Sequence, residues 1–118
     1  MNLSSQLTLN LDQGSIRFNF SPEAAQDLKQ ALSSLMEKFK VTTQAVNEGN
    51  KPQPQSPTEY RHTGEVFLEV FCNPNIYPTP FAAKVLITVR DERIRLTTEA
   101  ELTRLVEDVT EYLEQHQG

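Results

Sequence analysis

Leu7, Leu9 and Leu11 alternate with Thr8 and Asn10, and Ile16, Phe18 and Phe20 alternate with Arg17 and Asn19. A period of two is the pattern of a strand with one face on a core and the other in water. Asp12-Gln13-Gly14 parts the two runs with turn residues, so together they predict a β-hairpin. Ser21-Pro22-Glu23 then supplies an N-cap, a proline for the first helical position and an acid for the positive end of the dipole. Ala25, Leu28, Ala31, Leu32, Leu35, Met36 and Phe39 follow as one helical stripe. This helix is expected to end near Lys40, where the branched run Val41-Thr42-Thr43 weakens it. The alternative is an extension to about Val46, with Gly49 as the stop.

Residues 41–63 contain Pro52, Pro54 and Pro57 among polar neighbours, without apolar periodicity, and read as a flexible proline-rich linker. Alternation returns in Glu65–Cys72. Val66, Leu68, Val70 and Cys72 fall on one face, and Phe67, Glu69 and Phe71 on the other. A proline-stiffened connection, Asn73–Pro80, leads into Phe81–Arg90. There Phe81, Ala83, Val85, Ile87 and Val89 share the core face, and Ala82, Lys84, Leu86, Thr88 and Arg90 the reverse. After a turn at Asp91-Glu92-Arg93, Ile94 and Leu96 mark a short strand. Thr98-Glu99-Ala100-Glu101 reads as the capping box of a second helix. Its stripe is Leu102, Leu105, Val106, Val109, Tyr112 and Leu113, with Glu107, Asp108, Glu111 and Glu114 outward and a frayed end at Gln115–Gly118.

These elements predict an α+β fold, a two-layer sandwich in one domain spanning 1–118. An antiparallel sheet of about five strands carries both long amphipathic helices on one face. The order is β-β-α-linker-β-β-β-α: a ββα unit at 7–40, the linker at 41–63 and a βββα unit at 64–118. Placing Ser21 on Thr98 aligns Ala25 with Leu102, Leu28 with Leu105 and Leu32 with Val109. Two readings explain this match: an internal ββα duplication, or the same helical period imposed twice.

Composition narrows the function more by exclusion than by indication. The formal charge is −5, and the whole acidic excess lies in 64–118. An acidic chain is a poor binder of nucleic acid or anionic membrane by charge alone. The N-terminal residues have neither the basic nor the apolar region of a secretory signal, and no apolar run reaches the roughly 20 residues of a membrane span. A lone cysteine fits a reducing compartment. A cytoplasmic protein is therefore expected.

No constellation points to an enzyme, a cofactor or a metal. Cys72 belongs to an apolar strand face, His62 to the linker and His116 to the frayed end, all poor positions for a nucleophile or base. Glu65 and Glu69 lie about 13 Å apart along a strand, too far for a glycosidase pair. The four glycines are scattered, so no phosphate cradle forms.

The candidate site is instead the sheet face turned away from the helices. Phe67, Phe71 and Leu86, extended by Ala82, would form an apolar patch there, rimmed by Lys84, Arg90 and Arg95. Left open, this patch predicts a protein partner, with a homo-oligomer as the simplest form. Alternatively Tyr60 of the linker, or Ile76 and Tyr77, folds back and covers it. A second function class, nucleic-acid binding, would use the same arginines together with Arg93 and Arg17, against the adverse net charge.

Overall fold

The computed structural model describes residues 5–116. Met1–Ser4, part of the segment read for a leader, and Gln117–Gly118 of the frayed end lie outside them. The elements are β1 (Gln6–Leu11), β2 (Gly14–Asn19), α1 (Pro22–Asn47), β3 (Thr58–Thr63), β4 (Phe67–Cys72), β5 (Lys84–Arg90), β6 (Arg95–Glu101) and α2 (Leu102–His116). Two 3₁₀ turns, Pro74–Ile76 and Pro80–Ala82, shape the connection before β5. The class is α+β with antiparallel pairing throughout.

Among the described residues the strands number six and divide into two sheets, β1-β2 and β3-β4-β5-β6, in place of one sheet of about five. The hairpin closes as expected, with Leu7 opposite Phe18 and Leu9 opposite Ile16, and Gly14 takes a φ of 129° at its turn. It does not add to the larger sheet as further strands. A single backbone bond, Asp12 N–H to Glu99 O at 3.1 Å, ties its tip to β6. The rest of β1 packs along α2. One core results: Leu7, Leu9, Phe18 and Phe20 of the hairpin join Leu28, Leu32 and Leu35 of α1, Leu68, Val70, Val85 and Ile87 of the sheet, and Leu102, Leu105 and Val109 of α2.

Three boundaries differ from the sequence reading, each for an identifiable reason. First, α1 takes the longer alternative. Val41, Thr42 and Thr43 cost only tenths of a kcal/mol each as helical residues, too little to stop a helix already anchored by its apolar stripe. It ends where Gly49 adopts φ 78° and the N–H groups of Glu48, Gly49 and Asn50 turn back on Gln44, Val46 and Ala45. Second, the proposed linker is shorter than 41–63, because 41–47 are helical and 58–63 form β3. Third, Thr98–Glu101 is not a capping box. β5 pairs with β6 from Arg90–Arg95 to Lys84–Glu101, and that ladder draws the segment into a strand. Thr98 is therefore a strand residue, and the alignment of the two N-caps does not hold. The units β1-β2-α1 and β5-β6-α2 still share a hairpin-then-helix order.

Phe81 lies in a 3₁₀ turn and is 81 % exposed, because β5 begins only at Lys84. Ile94 sits in the turn before β6 and is exposed rather than core. Glu65 precedes β4 and accepts a 2.7 Å hydrogen bond from Asn19 Nδ2. His62 is on β3, its ring edge-on to Phe20 at 5.1 Å, and His116 stacks on Tyr112 within α2. Asp108 is buried rather than outward.

Tyr60 fixes β3 to the helical layer. Its hydroxyl, buried against α1, donates to Ala24 O at 3.0 Å. Burial, with the Asp27 carboxylate adding to it, pushes its pKa from 10.0 up to about 12. The stability this represents is complete below pH 10 and is lost between pH 10 and 12, where the unfolded chain ionises first. Tyr60→Phe is expected to cost about 1 kcal/mol near neutrality and to flatten the decline of stability in that alkaline window. Denaturant midpoints measured across the window, wild type against variant, check it; parallel curves would show that Tyr60 is not the group responsible.

Candidate functional site

Strand alternation gives the four-stranded sheet two chemically different faces. The inner face is Thr58, Tyr60 and His62 of β3, Leu68, Val70 and Cys72 of β4, Val85, Ile87 and Val89 of β5, and Leu96, Thr98 and Ala100 of β6. Most of it is buried. Cys72 lies here, and burial pushes its thiol up to about 11, so the sulfur is held protonated near neutrality.

The outer face is ordered by the register into rows running across the strands. The first row is Thr63, Phe67, Arg90 and Arg95. The second is Arg61, Glu69, Thr88 and Thr97; the third is Glu59, Phe71, Leu86 and Glu99. Lys84 and Glu101 close the sheet beyond the third. No helix of the described residues crosses these rows, since α1 and α2 share their core with the inner face.

The structure thus places all six predicted site residues on one face, with Lys84 at the end opposite Arg90 and Arg95. Phe71 and Leu86 are direct cross-strand neighbours, and Leu86 is 42 % exposed. Phe67 is half-buried, with the Arg90 guanidinium 4.2 Å above its ring, a cation–π contact. Arg95 stands directly opposite Arg90. Like charges in that relation repel unless an anion lies between them. Lys84 is already engaged: its ammonium meets the Asp12 carboxylate at 2.8 Å, and that contact raises its pKa. Ala82, outside the sheet, does not extend the patch.

The segments considered as covers do not lie over it. Tyr60 points into the core, Tyr77 packs against the core, and Ile76 is exposed. Arg17 is also elsewhere, on β2, donating to Thr8 Oγ1 at 3.0 Å. Arg93 is in the turn after β5, where Asp91 Oδ1 accepts the N–H groups of Arg93 and Ile94 at 2.8 and 3.0 Å. Those two bonds hold the Asp91 carboxyl below its ordinary range and pin the turn that sets Arg90 beside Arg95.

Sequence reasoning missed β3 and all but the start of β6 on this face. β3 contributes Glu59, Arg61 and Thr63, with Arg61 Nε on Glu69 Oε2 at 2.7 Å and its Nη2 near Glu59 at 3.8 Å. β6 contributes Thr97, Glu99 and Glu101. A signal was present in each. Thr58–Thr63 has a period of two, but with Tyr60 as its only large apolar side chain. In β6, Ala100 lies between two glutamates in a segment that also matches a helix cap.

An open groove runs along the C-terminal half of α1 to the end of the Asn73–Pro80 connection, lined by Met36, Phe39, Thr43 and Pro80. Among the described residues no helix is long and apolar enough to cross a membrane. Compared with family models, with curated proteins and with solved structures, the chain matches none of them.

Proposed function

We propose that this protein is a non-enzymatic protein–protein interaction module, an adaptor or assembly factor, that docks through the outer face of its four-stranded sheet and works as a homodimer. One observation supports the reading above the others: no helix of the described residues lies over this face, and Leu86, 42 % exposed, stands in contact register with Phe71, with Phe67 on the same face. An exposed apolar cluster rimmed by charge is the anatomy of an interface. The nucleic-acid reading ranks below it. Arg90 and Arg95 are adjacent, but the same face holds Glu59, Glu69, Glu99 and Glu101 against Arg61, Lys84, Arg90 and Arg95, so it has no net positive charge.

The test is light scattering of the full chain over a concentration series. A molecular mass rising toward twice that of the chain is the expected result. A strict monomer at high micromolar concentration would overturn the homodimer.

A further inference from the structure

Charge on the outer face is separated along the strand direction. Arg90 and Arg95 occupy one end row, and Glu59, Glu99 and Glu101 occupy the other end. The single base at the acidic end, Lys84, is taken up by Asp12. The middle row is balanced internally by the Arg61–Glu69 pair. Each end therefore presents the complement of the other.

We infer that the occupant of this face is a second copy of the chain, related by a two-fold axis that runs across the strands along the Arg61–Glu69–Thr88–Thr97 row. This rests on the reading of the outer face as the docking surface. A homodimer interface is self-complementary, so the axis decides which residues meet. Sheets stacked with their strands aligned allow two choices. An axis along the strands sets Glu59 against the partner's Glu99 and gathers the arginine rows at the same end. An axis across the strands reverses the ends. Arg95 then meets the partner's Glu99, and Phe67 meets the partner's Phe71. Arg61 and Glu69, close to the axis, can exchange partners between copies.

Only the second arrangement sets a carboxylate, the partner's Glu99, against Arg95 and so relieves its repulsion with Arg90. The strand spacing and rise give the face roughly 400 Å² in plan. That is below the ~800 Å² per partner of a standard interface, so the dimer is expected to be a micromolar, concentration-dependent one.

The experiment is a charge swap read by sedimentation velocity on the full chain. Both positions are exposed, and circular dichroism checks that each variant is folded. Arg95→Glu alone and Glu99→Arg alone should each weaken self-association about 10- to 100-fold, because each creates two like-charge contacts per dimer. An equimolar mixture of R95E and E99R chains should form a heterodimer near wild-type affinity. The doubly substituted R95E/E99R chain should recover to within about tenfold. Leu86→Glu separates the docking face from the orientation of the axis. If it breaks the dimer while the charge variants leave it unchanged, or if Glu99→Arg tightens it, the axis is wrong and the docking face stands. If the wild type is monomeric, or Leu86→Glu leaves the dimer intact, the docking face itself is wrong.

Discussion

A chain with both Phe67→Glu and Phe71→Glu is expected to stay folded and to lose self-association, its dissociation constant rising about 1,000-fold or more. The two halves of that result have separate physical causes. β4 is anchored through its inner residues Leu68, Val70 and Cys72, all buried, and through backbone ladders to β3 and β5. Neither phenylalanine contributes to that layer. Removing them from the monomer costs outer-face packing alone, about 1–2 kcal/mol. Part of this is returned where the new carboxylate at 67 lies beneath the Arg90 guanidinium, which now covers the ring at 4.2 Å.

In the dimer the same changes place four carboxylates in a surface that must dry. Burying charge without a partner costs several kcal/mol, and about 4 kcal/mol corresponds to a thousandfold in affinity. Thermal melts combined with light scattering separate the outcomes. A folded monomer supports the interface. An unfolded chain would mean that the outer face is structural, and the proposed function would fall with it.

Asp108→Ala is expected to destabilise the fold by about 3 kcal/mol. Asp108 lies on α2 and is 8 % exposed. One carboxylate oxygen accepts the backbone N–H of Asn10 at 2.8 Å, and the other accepts Asn10 Nδ2 at 2.9 Å and faces Arg104 Nε at 3.4 Å. One side chain thus satisfies both donors of a β1 residue and fixes the N-terminal hairpin to the C-terminal helix. Alanine leaves those half-buried donors without their acceptor, which costs more than the bonds contributed in net terms. Asp108→Asn retains one acceptor oxygen, turns an amide toward a donor, and should recover about half the loss. Urea unfolding measures both. A loss under about 0.5 kcal/mol for the alanine variant would show that the hairpin is held by Leu7 and Leu9 alone. Self-association should be unaffected, because Asp108 is on the helical side of the molecule.

Asp108 also shows where sequence reading reaches its limit. On a helical wheel it stands at the edge of the apolar stripe, one turn from both Leu105 and Tyr112, but its charge groups it with Glu107, Glu111 and Glu114, and no local rule separates a buried acid from a solvated one at that edge. Its role is created by Asn10, 98 residues away, when β1 lies along α2. β6 fails for a related reason. Thr98–Glu101 satisfies the local rule for a helix cap, but seven ladder pairs with β5 outweigh the one or two bonds that a cap supplies. β3 is hidden because an edge strand needs few apolar residues, and Tyr60 is the one large apolar side chain it places in the core.

Sequence alone determined the periodic elements of this protein: the β1–β2 hairpin, the stripes of both helices, and the alternation of β4 and β5 that puts Phe67, Phe71 and Leu86 opposite the core. Local periodicity suffices for these because each element has to bury one face of its own. Tertiary structure alone decided that the hairpin forms a separate sheet, that residues 58–63 and 97–101 are strands, and that Tyr60 and Tyr77 leave the outer face open. Those outcomes depend on pairing between segments far apart in the chain, where hydrogen-bond ladders and core contacts override what neighbouring residues favour.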